Sequence, residues 1–155
     1  MSCKLQVKNY IGDMTTTAKT DTGCLVHRGA NIFGDRWTLL LLRDMMLHGR
    51  KTFGEFMEAG EGVSTNILAS RLRALEETGI VWRRQDPENR RSFHYGLTEK
   101  GLDLAPILLE IIRWSGRHFD MDEARAKLVQ RIETDRDGLL AEIRDRALSI
   151  TAGRS

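Results

Sequence analysis

The sequence predicts a mainly helical fold with a single small β-hairpin, and two observations support this prediction. Residues 63–97 contain one amphipathic helix that starts at a capping residue and stops at a glycine, followed at once by two short β-branched and aromatic runs joined by a polar turn. Residues 98–150 then keep apolar residues at helical spacing. A helix followed directly by a hairpin is typical of a winged helix-turn-helix, with the hairpin as its wing and long helices behind it.

The composition of the 155-residue chain indicates one globular domain with extensions, because 41% of the residues are hydrophobic and 30% are charged. A net charge of only +2 means that any nucleic-acid surface must come from local arrangement rather than bulk attraction. Two cysteines, Cys3 and Cys24, provide no disulfide framework and favour a cytoplasmic protein. No apolar run is long enough to cross a bilayer, so no membrane partner is expected.

An arm and two helices are predicted at the start of the chain. Residues 1–23 contain a thin apolar pattern and a threonine-rich tract, which predict a flexible N-terminal arm. Residues 25–34 predict a short amphipathic helix with four apolar side chains available for burial: Leu25, Val26, Ile32 and Phe33. Asp35 then caps a second, largely buried helix that closes at Gly49, and Trp37 in its first turn is expected to be a core anchor.

A short third helix completes the helix-turn-helix. Thr52 and Glu55 have the spacing of a capping box, which opens this helix. Residues 58–62 form a glycine-bearing turn that leads directly into the central helix at Ser64. Two helices joined by a tight turn of this kind form a helix-turn-helix.

The central helix, residues 64–78, has two different faces. One face carries the apolar stripe of Leu68, Leu72 and Leu75, which must be buried. The opposite face carries an amide, a hydroxyl and a guanidinium group, from Asn66, Ser70 and Arg73. Such groups can read base edges in a DNA major groove, which accommodates a helix. Taken alone, the pattern also fits an ordinary solvated helix face.

The predicted hairpin offers two arginines at its tip. Residues 80–84 and 92–97 predict the strands, and residues 86–89 supply the turn. A two-stranded ribbon is marginal in water, so it must pack on the preceding helices. Arg90 and Arg91 would then lie beside the central helix, where they could enter a minor groove or remain solvated.

The C-terminal half predicts further helices. Thr98 caps a strongly apolar helix that runs to Gly116, and Pro106 should kink it or start a fresh segment. The apolar residues of this helix are too many to be buried against a single neighbouring surface. Residues 121–150 form a charged amphipathic tail with an expected break at Asp137 and Gly138. This tail is either a helical hairpin folded over the dimer or an arm that reaches the partner subunit. Its balanced charges argue against a second DNA-binding arm.

The motifs, taken together, resemble a known family over about residues 24–119. They are, in order, Cys24, GDRWTL at 34–39, FGEF at 53–56, VS at 63–64, LASRL at 68–72, LE at 75–76, Gly79 and YGLTEKG at 95–101. This order closely resembles the HxlR-type winged helix-turn-helix transcriptional regulators, which are MarR-like. Two departures are Arg36, where the family commonly has lysine, and His94, where an acidic residue is frequent.

The resemblance implies a homodimer that binds a promoter operator in double-stranded DNA. It divides the chain into an arm (1–23), a winged helix-turn-helix with a dimerisation helix (24–119) and a helical C-terminal extension (120–155). It places the recognition helix on residues 64–78 and the wing on residues 86–92. The predicted DNA-binding residues are Ser64, Thr65, Asn66, Ser70, Arg71, Arg73, Arg90 and Arg91.

The sequence leaves alternative roles open for several basic residues and for the long helix. Arg71 lies nearer the buried stripe than Arg73, so we expect it to contact a phosphate or to form an intramolecular ion pair. Arg50 and Lys51 could contact phosphates or favour the helix dipole. The resemblance also implies that the long helix and the helix near Leu25 form the dimer interface; an ordinary monomeric core is the alternative.

Cys24 falls at the position of the family's N-terminal cysteine, which in some members senses oxidants or electrophiles. His27 follows at i+3, where it could stabilise the reactive thiolate. The alternative is a small buried hydrophobic residue at a helix start. A small molecule held between the long helices is a second predicted effector.

Enzymatic and metal-dependent functions are not expected. The sequence contains no phosphate-binding glycine loop, nucleophile elbow or HExxH motif. Cys24 and His27 alone do not make a tetrahedral metal site, so neither a metal nor a cofactor is predicted. The alternative to a DNA-binding regulator is a winged-helix protein-interaction module without DNA binding.

Overall fold

A computed structural model describes residues 23–59 and 61–152, so the predicted arm lies almost entirely outside the described residues. The architecture is mainly helical with one antiparallel hairpin, which confirms the predicted winged helix-turn-helix. The elements are α1 (Leu25–Phe33), α2 (Arg36–His48), α3 (Phe53–Met57), α4 (Thr65–Glu77), β1 (Val81–Gln85), β2 (Phe93–Leu97), α5 (Glu99–Leu102), α6 (Ala105–His118), α7 (Glu123–Thr134) and α8 (Arg136–Ala152).

Side-chain caps start the helices of the helix-turn-helix where the sequence predicts. The Asp35 carboxylate accepts from the backbone N–H of Trp37 at 3.1 Å, and the Ser64 hydroxyl accepts from that of Ile67 at 3.3 Å. The capping box of Thr52 and Glu55 is present with both of its bonds. These side chains satisfy N–H groups that have no partner within the first turn.

The Glu55 carboxylate has a shifted pKa at this capping box. Burial acts to raise its pKa, but hydrogen bonds from the backbone N–H groups of Lys51 and Thr52 outweigh burial and hold it below the usual value. The charged form is therefore favoured, and the start of α3 keeps its reciprocal cap at neutral pH.

The wing pairs β1 with β2 in a register that runs from Val81 opposite Leu97 to Gln85 opposite Phe93. Its inner end is anchored because Val81, Tyr95 and Leu97 are buried. Gly96 is required here, since a Cβ atom at this position would lie 2.2 Å from the Trp82 indole. The strands match the predicted runs to within one residue.

The core extends from the helix-turn-helix into the C-terminal extension. Leu42 and Met46 of α2, Leu68 of α4 and Leu109 of α6 are at most 1% exposed. The extension contributes four further buried residues to the same cluster: Ile132, Leu139, Ile143 and Ala147. The extension therefore folds back as a helical hairpin on its own chain, whereas its predicted position over a dimer stays a prediction.

Two predicted boundaries differ from the structure. Pro106 does start a fresh helix, as predicted, but α6 continues to His118, two residues past Gly116. The break in the tail lies at Asp135 rather than at Asp137 and Gly138. The Asp135 carboxylate accepts from the Gly138 N–H at 3.2 Å, so the glycine lies in the first turn of α8, where its flexibility costs little.

Leu25 and Val26, which the sequence presents as available for burial, are 79% and 80% exposed in the single chain. Ile32 and Phe33, at the C-terminal end of α1, do pack against the core. Leu25 and Val26 line a shallow groove together with Ile111. We call the exposed apolar surface of Leu25, Val26, Ile107, Ile111 and Trp114 the apolar face.

Each helix within residues 23–59 and 61–152 is too short or too polar to span a bilayer.

Candidate nucleic-acid interface

The outer face of α4 presents the polar side chains that the sequence predicts. Asn66, Ser70 and Arg73 are exposed, and so are Ser64 and Thr65 at the N-terminal end of the helix. On the opposite face, Leu68, Leu72 and Leu75 are at most 2% exposed and hold the helix on the core. The polar face is therefore available to a ligand, while the apolar stripe fixes its position.

Arg71 has an internal role. Its Nε atom donates to Asp35 Oδ1 at 3.0 Å, and its side chain is only 18% exposed. This ion pair is one of the two predicted alternatives for Arg71. Because Asp35 is also the N-cap of α2, the same carboxylate connects the start of α2 to the middle of α4. Arg71 therefore positions α4 relative to α2.

The tip of the wing is held by local hydrogen bonds. The Asp86 carboxylate accepts from the backbone N–H of Glu88 at 2.9 Å, and the Asn89 side-chain oxygen accepts from that of Arg91 at 3.1 Å. The Gln85 amide donates to the Arg90 carbonyl at 2.6 Å. These bonds define the turn, and they leave the Arg90 and Arg91 side chains exposed.

The wing carries two further exposed arginines that the sequence reasoning did not select. The Arg83 guanidinium lies 3.6 Å from the centre of the Phe93 ring, and that of Arg84 lies 4.4 Å from the Trp82 ring. Stacking on an aromatic ring orders an arginine, and the Arg83 side chain is held further by a hydrogen bond to Tyr95. The sequence does contain a pattern that indicates these stacked arginines, namely the alternation of arginine and aromatic residues across the paired strands.

Arg50 forms an ion pair within the chain. Its Nη1 atom lies 2.9 Å from Asp44 Oδ1, and Arg43 contacts the same oxygen at 2.8 Å. Asp44 is only 3% exposed, and the two guanidinium groups pair with its buried carboxylate. The prediction of a phosphate contact or a helix-dipole role for Arg50 missed this ion pair.

Cys24 is exposed at the N-cap of α1, so its alternative prediction as a buried hydrophobic residue is wrong for the single chain. His27 is exposed as well. Within residues 23–59 and 61–152, no group of three or more histidine, cysteine, aspartate or glutamate side chains could hold a metal ion.

Comparison with known proteins agrees with this geometry. A family model described as HxlR-like helix-turn-helix matches residues 32–123, which is more than half of the chain. The uncharacterized HTH-type transcriptional regulator YvaP of Bacillus subtilis (strain 168) is 37% identical over 93 residues, which are 60% of this chain and 85% of YvaP.

Two solved structures share the fold. PA1607 is 34% identical with a TM-score of 0.61 over 69% of this chain and 73% of that chain. The redox regulator HypR in its oxidized form is 31% identical with a TM-score of 0.56 over 63% of this chain and 100% of HypR. With its helix-turn-helix, wing and matching family model, the chain belongs to the HxlR-like helix-turn-helix family of transcriptional regulators.

Proposed function

We propose that the protein is a homodimeric, sequence-specific DNA-binding regulator that acts on a promoter operator. The observation that carries this proposal is the joint exposure of the polar α4 face and of the wing arginines, each held in place by internal bonds. A preorganised surface of this kind costs little ordering when it binds DNA. The C-terminal extension packs on other surfaces, so it does not cover α4.

Each exposed group has a role that follows from its chemistry. Asn66, Ser70 and Arg73 would contact base edges in the major groove, where amide and guanidinium groups discriminate between base pairs. Ser64 and Thr65, at the positive end of the helix dipole, would contact a phosphate. The wing residues Arg90 and Arg91 would contact the backbone or an adjacent minor groove.

A second copy of the chain would cover the apolar face. Ile107, Ile111 and Trp114 of α6 are 40%, 39% and 57% exposed, and Leu25 and Val26 extend the surface. Exposed apolar side chains that share one surface are typical of an interface. A twofold dimer would present two α4 helices to two half-sites about 34 Å apart.

Replacing Arg73 and Arg90 separately should give different losses of DNA binding. Arg73→Ala is expected to weaken binding to the selected operator by roughly 5- to 150-fold and to relax base preference, because a base contact is lost. Arg90→Ala is expected to weaken operator and random duplexes alike and to reduce the slope of log K against log salt by about 1, because a phosphate contact is lost. Fluorescence anisotropy with genomically selected and scrambled duplexes measures both effects.

Lys127→Ala is the matched control for this pair. Lys127 is exposed on α7 and pairs with Glu123, so its replacement removes the same charge far along the chain from the predicted interface. We expect no change in DNA affinity. A parent protein that binds no duplex even at low salt would instead favour a protein-interaction module.

A redox switch at Cys24 is a second candidate function, and it is compatible with the first. The thiol is exposed at the N-cap of α1, where an oxidant can reach it. The similar HypR is named a redox regulator. His27 is exposed on the first turn of the same helix. Oxidation of Cys24 would then change the affinity of the dimer for its operator.

Hydrogen peroxide is expected to change the DNA affinity of the wild-type protein by at least about 5-fold, a typical allosteric coupling. Cys24→Ser should abolish this response, whereas Cys3→Ser should preserve it and serves as the matched thiol control. Anisotropy titrations before and after oxidation provide the measurement. Equal responses of wild type and Cys24→Ser would exclude Cys24 as the switch.

A further inference from the structure

A cavity of about 640 Å³ lies where the C-terminal extension folds back onto the rest of the chain. Its walls come from the end of α2, the second half of α6, and both α7 and α8. The volume falls within the roughly 300–1,000 Å³ of small-molecule sites. Nearly all of α7 and all of α8 lie beyond the residues that match the family model, so these cavity walls are specific to the extension.

Most of the cavity wall is apolar. The apolar lining includes Leu47, Ile112, Leu128, Leu139 and Ile143. Leu139 and Ile143 also belong to the hydrophobic core, so this wall is firmly held. A ligand with an apolar body would therefore replace water against a preformed surface.

The charged part of the lining is mainly cationic. Four arginines face only two carboxylates, those of Asp120 and Glu142. Three of the four arginines already have acidic partners: Arg43, Arg125 and Arg131. The excess positive charge therefore lies with the fourth arginine, Arg146.

Arg146 is half-buried in α8 and donates from Nη1 to the carbonyl oxygens of Met46 and Leu47 at 2.9 and 2.8 Å. Among the described residues, no carboxylate lies within 4.0 Å of its guanidinium nitrogens. A guanidinium carries five N–H groups, so its Nη2 and Nε donors remain for another acceptor. The bonds to α2 fix the orientation of these donors.

His48 lies in the lining close to the same guanidinium groups. Burial lowers its pKa below the ordinary value; Asp44 opposes this effect, and the guanidinium groups of Arg50, Arg43 and Arg146 lower the pKa further. The imidazole is therefore neutral at pH 7. It adds a hydrogen-bonding group to the lining without changing the charge balance.

We propose that this cavity binds an organic carboxylate with an apolar body, whose carboxylate pairs with Arg146 and whose body lies against the apolar wall. A guanidinium can bind a carboxylate through two parallel charge-assisted hydrogen bonds. An uncharged apolar molecule would bury the Arg146 donors without a partner, which is unfavourable. The site therefore selects for the anion.

Ligand binding does not require DNA, and only an effect of the ligand on operator affinity would rest on the proposed function. The test is therefore an isothermal titration of the full-length protein in the absence of DNA. The probes are 4-phenylbutyrate and 4-phenylbutan-1-ol, which share one apolar body and differ in the charged end. We expect saturable binding of one 4-phenylbutyrate per chain, at least about tenfold tighter than the alcohol.

Variants assign the binding to the cavity. Arg146→Gln should lower the affinity for 4-phenylbutyrate to that for the alcohol. Arg144→Gln is the matched control, because Arg144 lies on the same helix outside the cavity and pairs with Glu99; its affinity should not change. Ser115→Trp, which places an indole in the cavity, should abolish binding of both compounds.

The comparison of the two compounds on wild-type protein keeps the proposal testable if a variant does not fold. No saturable binding of 4-phenylbutyrate, or equal affinity for acid and alcohol, would overturn it. Loss of DNA binding in a separate assay would leave this titration unaffected. Conversely, a negative titration leaves the proposed DNA binding intact.

Discussion

Replacing Ile143 with aspartate is expected to lower the free energy of unfolding by about 4 kcal/mol or more, since an apolar contact is lost and an unpaired charge is buried. Ile143 is in α8 and only 2% exposed, within the same core cluster as α2 and α6. The extension is therefore a structural part of the domain. Urea denaturation followed by circular dichroism at one fixed protein concentration measures the loss.

Ala141→Asp is the matched control for Ile143→Asp. Ala141 lies two residues away on the same helix and is exposed, so the same carboxylate stays in water. We expect a change within about 0.5 kcal/mol, as for most surface substitutions. An unchanged urea midpoint for Ile143→Asp would show that α8 is not packed on the core.

Replacing Ile107 with aspartate is expected to convert the proposed dimer to a monomer and to weaken operator binding by about two orders of magnitude or more. Ile107 lies on the apolar face of α6 and is 40% exposed in the single chain. In a dimer this carboxylate would be desolvated without a partner. A monomer also loses the gain in affinity that comes from linking two recognition helices.

Light scattering coupled to size-exclusion chromatography measures the mass, and anisotropy measures the DNA affinity. Ala126→Asp, on the exposed side of α7, is the control and should leave both unchanged. Ile107→Asp should keep its helical circular dichroism, because the side chain is not part of the core. A mass equal to that of wild type would place the dimer interface elsewhere.

The parts of the fold that local chemistry decides were predictable from the sequence. Ser64 is the N-cap of α4, and Gly79, with a φ of 70°, follows the C-cap residue Thr78, because a cap and a left-handed residue act within a few positions. The break in the tail shows where this reasoning failed. A capping aspartate at Asp135 determined the start of α8, and Gly138 was tolerated inside its first turn.

For contacts between residues that are far apart in the sequence, the sequence limited the alternatives but did not choose between them. Arg71 and Asp35 are 36 positions apart, so periodicity on α4 left both a phosphate contact and an ion pair open. The arginines stacked on Phe93 and Trp82 depended on strand register. The exposure of Leu25 and Val26 depends on which elements of the chain pack against α1, which a periodic pattern does not report.

The bonds at the two ends of α2 have a consequence for chimeric proteins. One end is joined to α4 through Asp35 and Arg71, and the carbonyls of the other end are joined to α8 through Arg146. The thirteen residues between them form a rod about 20 Å long. A transplant of the recognition helix into another scaffold would therefore lose its orienting contact unless position 35 moved with it. The smallest part of this protein that can be transferred with the bonds at both ends of α2 intact therefore includes the extension.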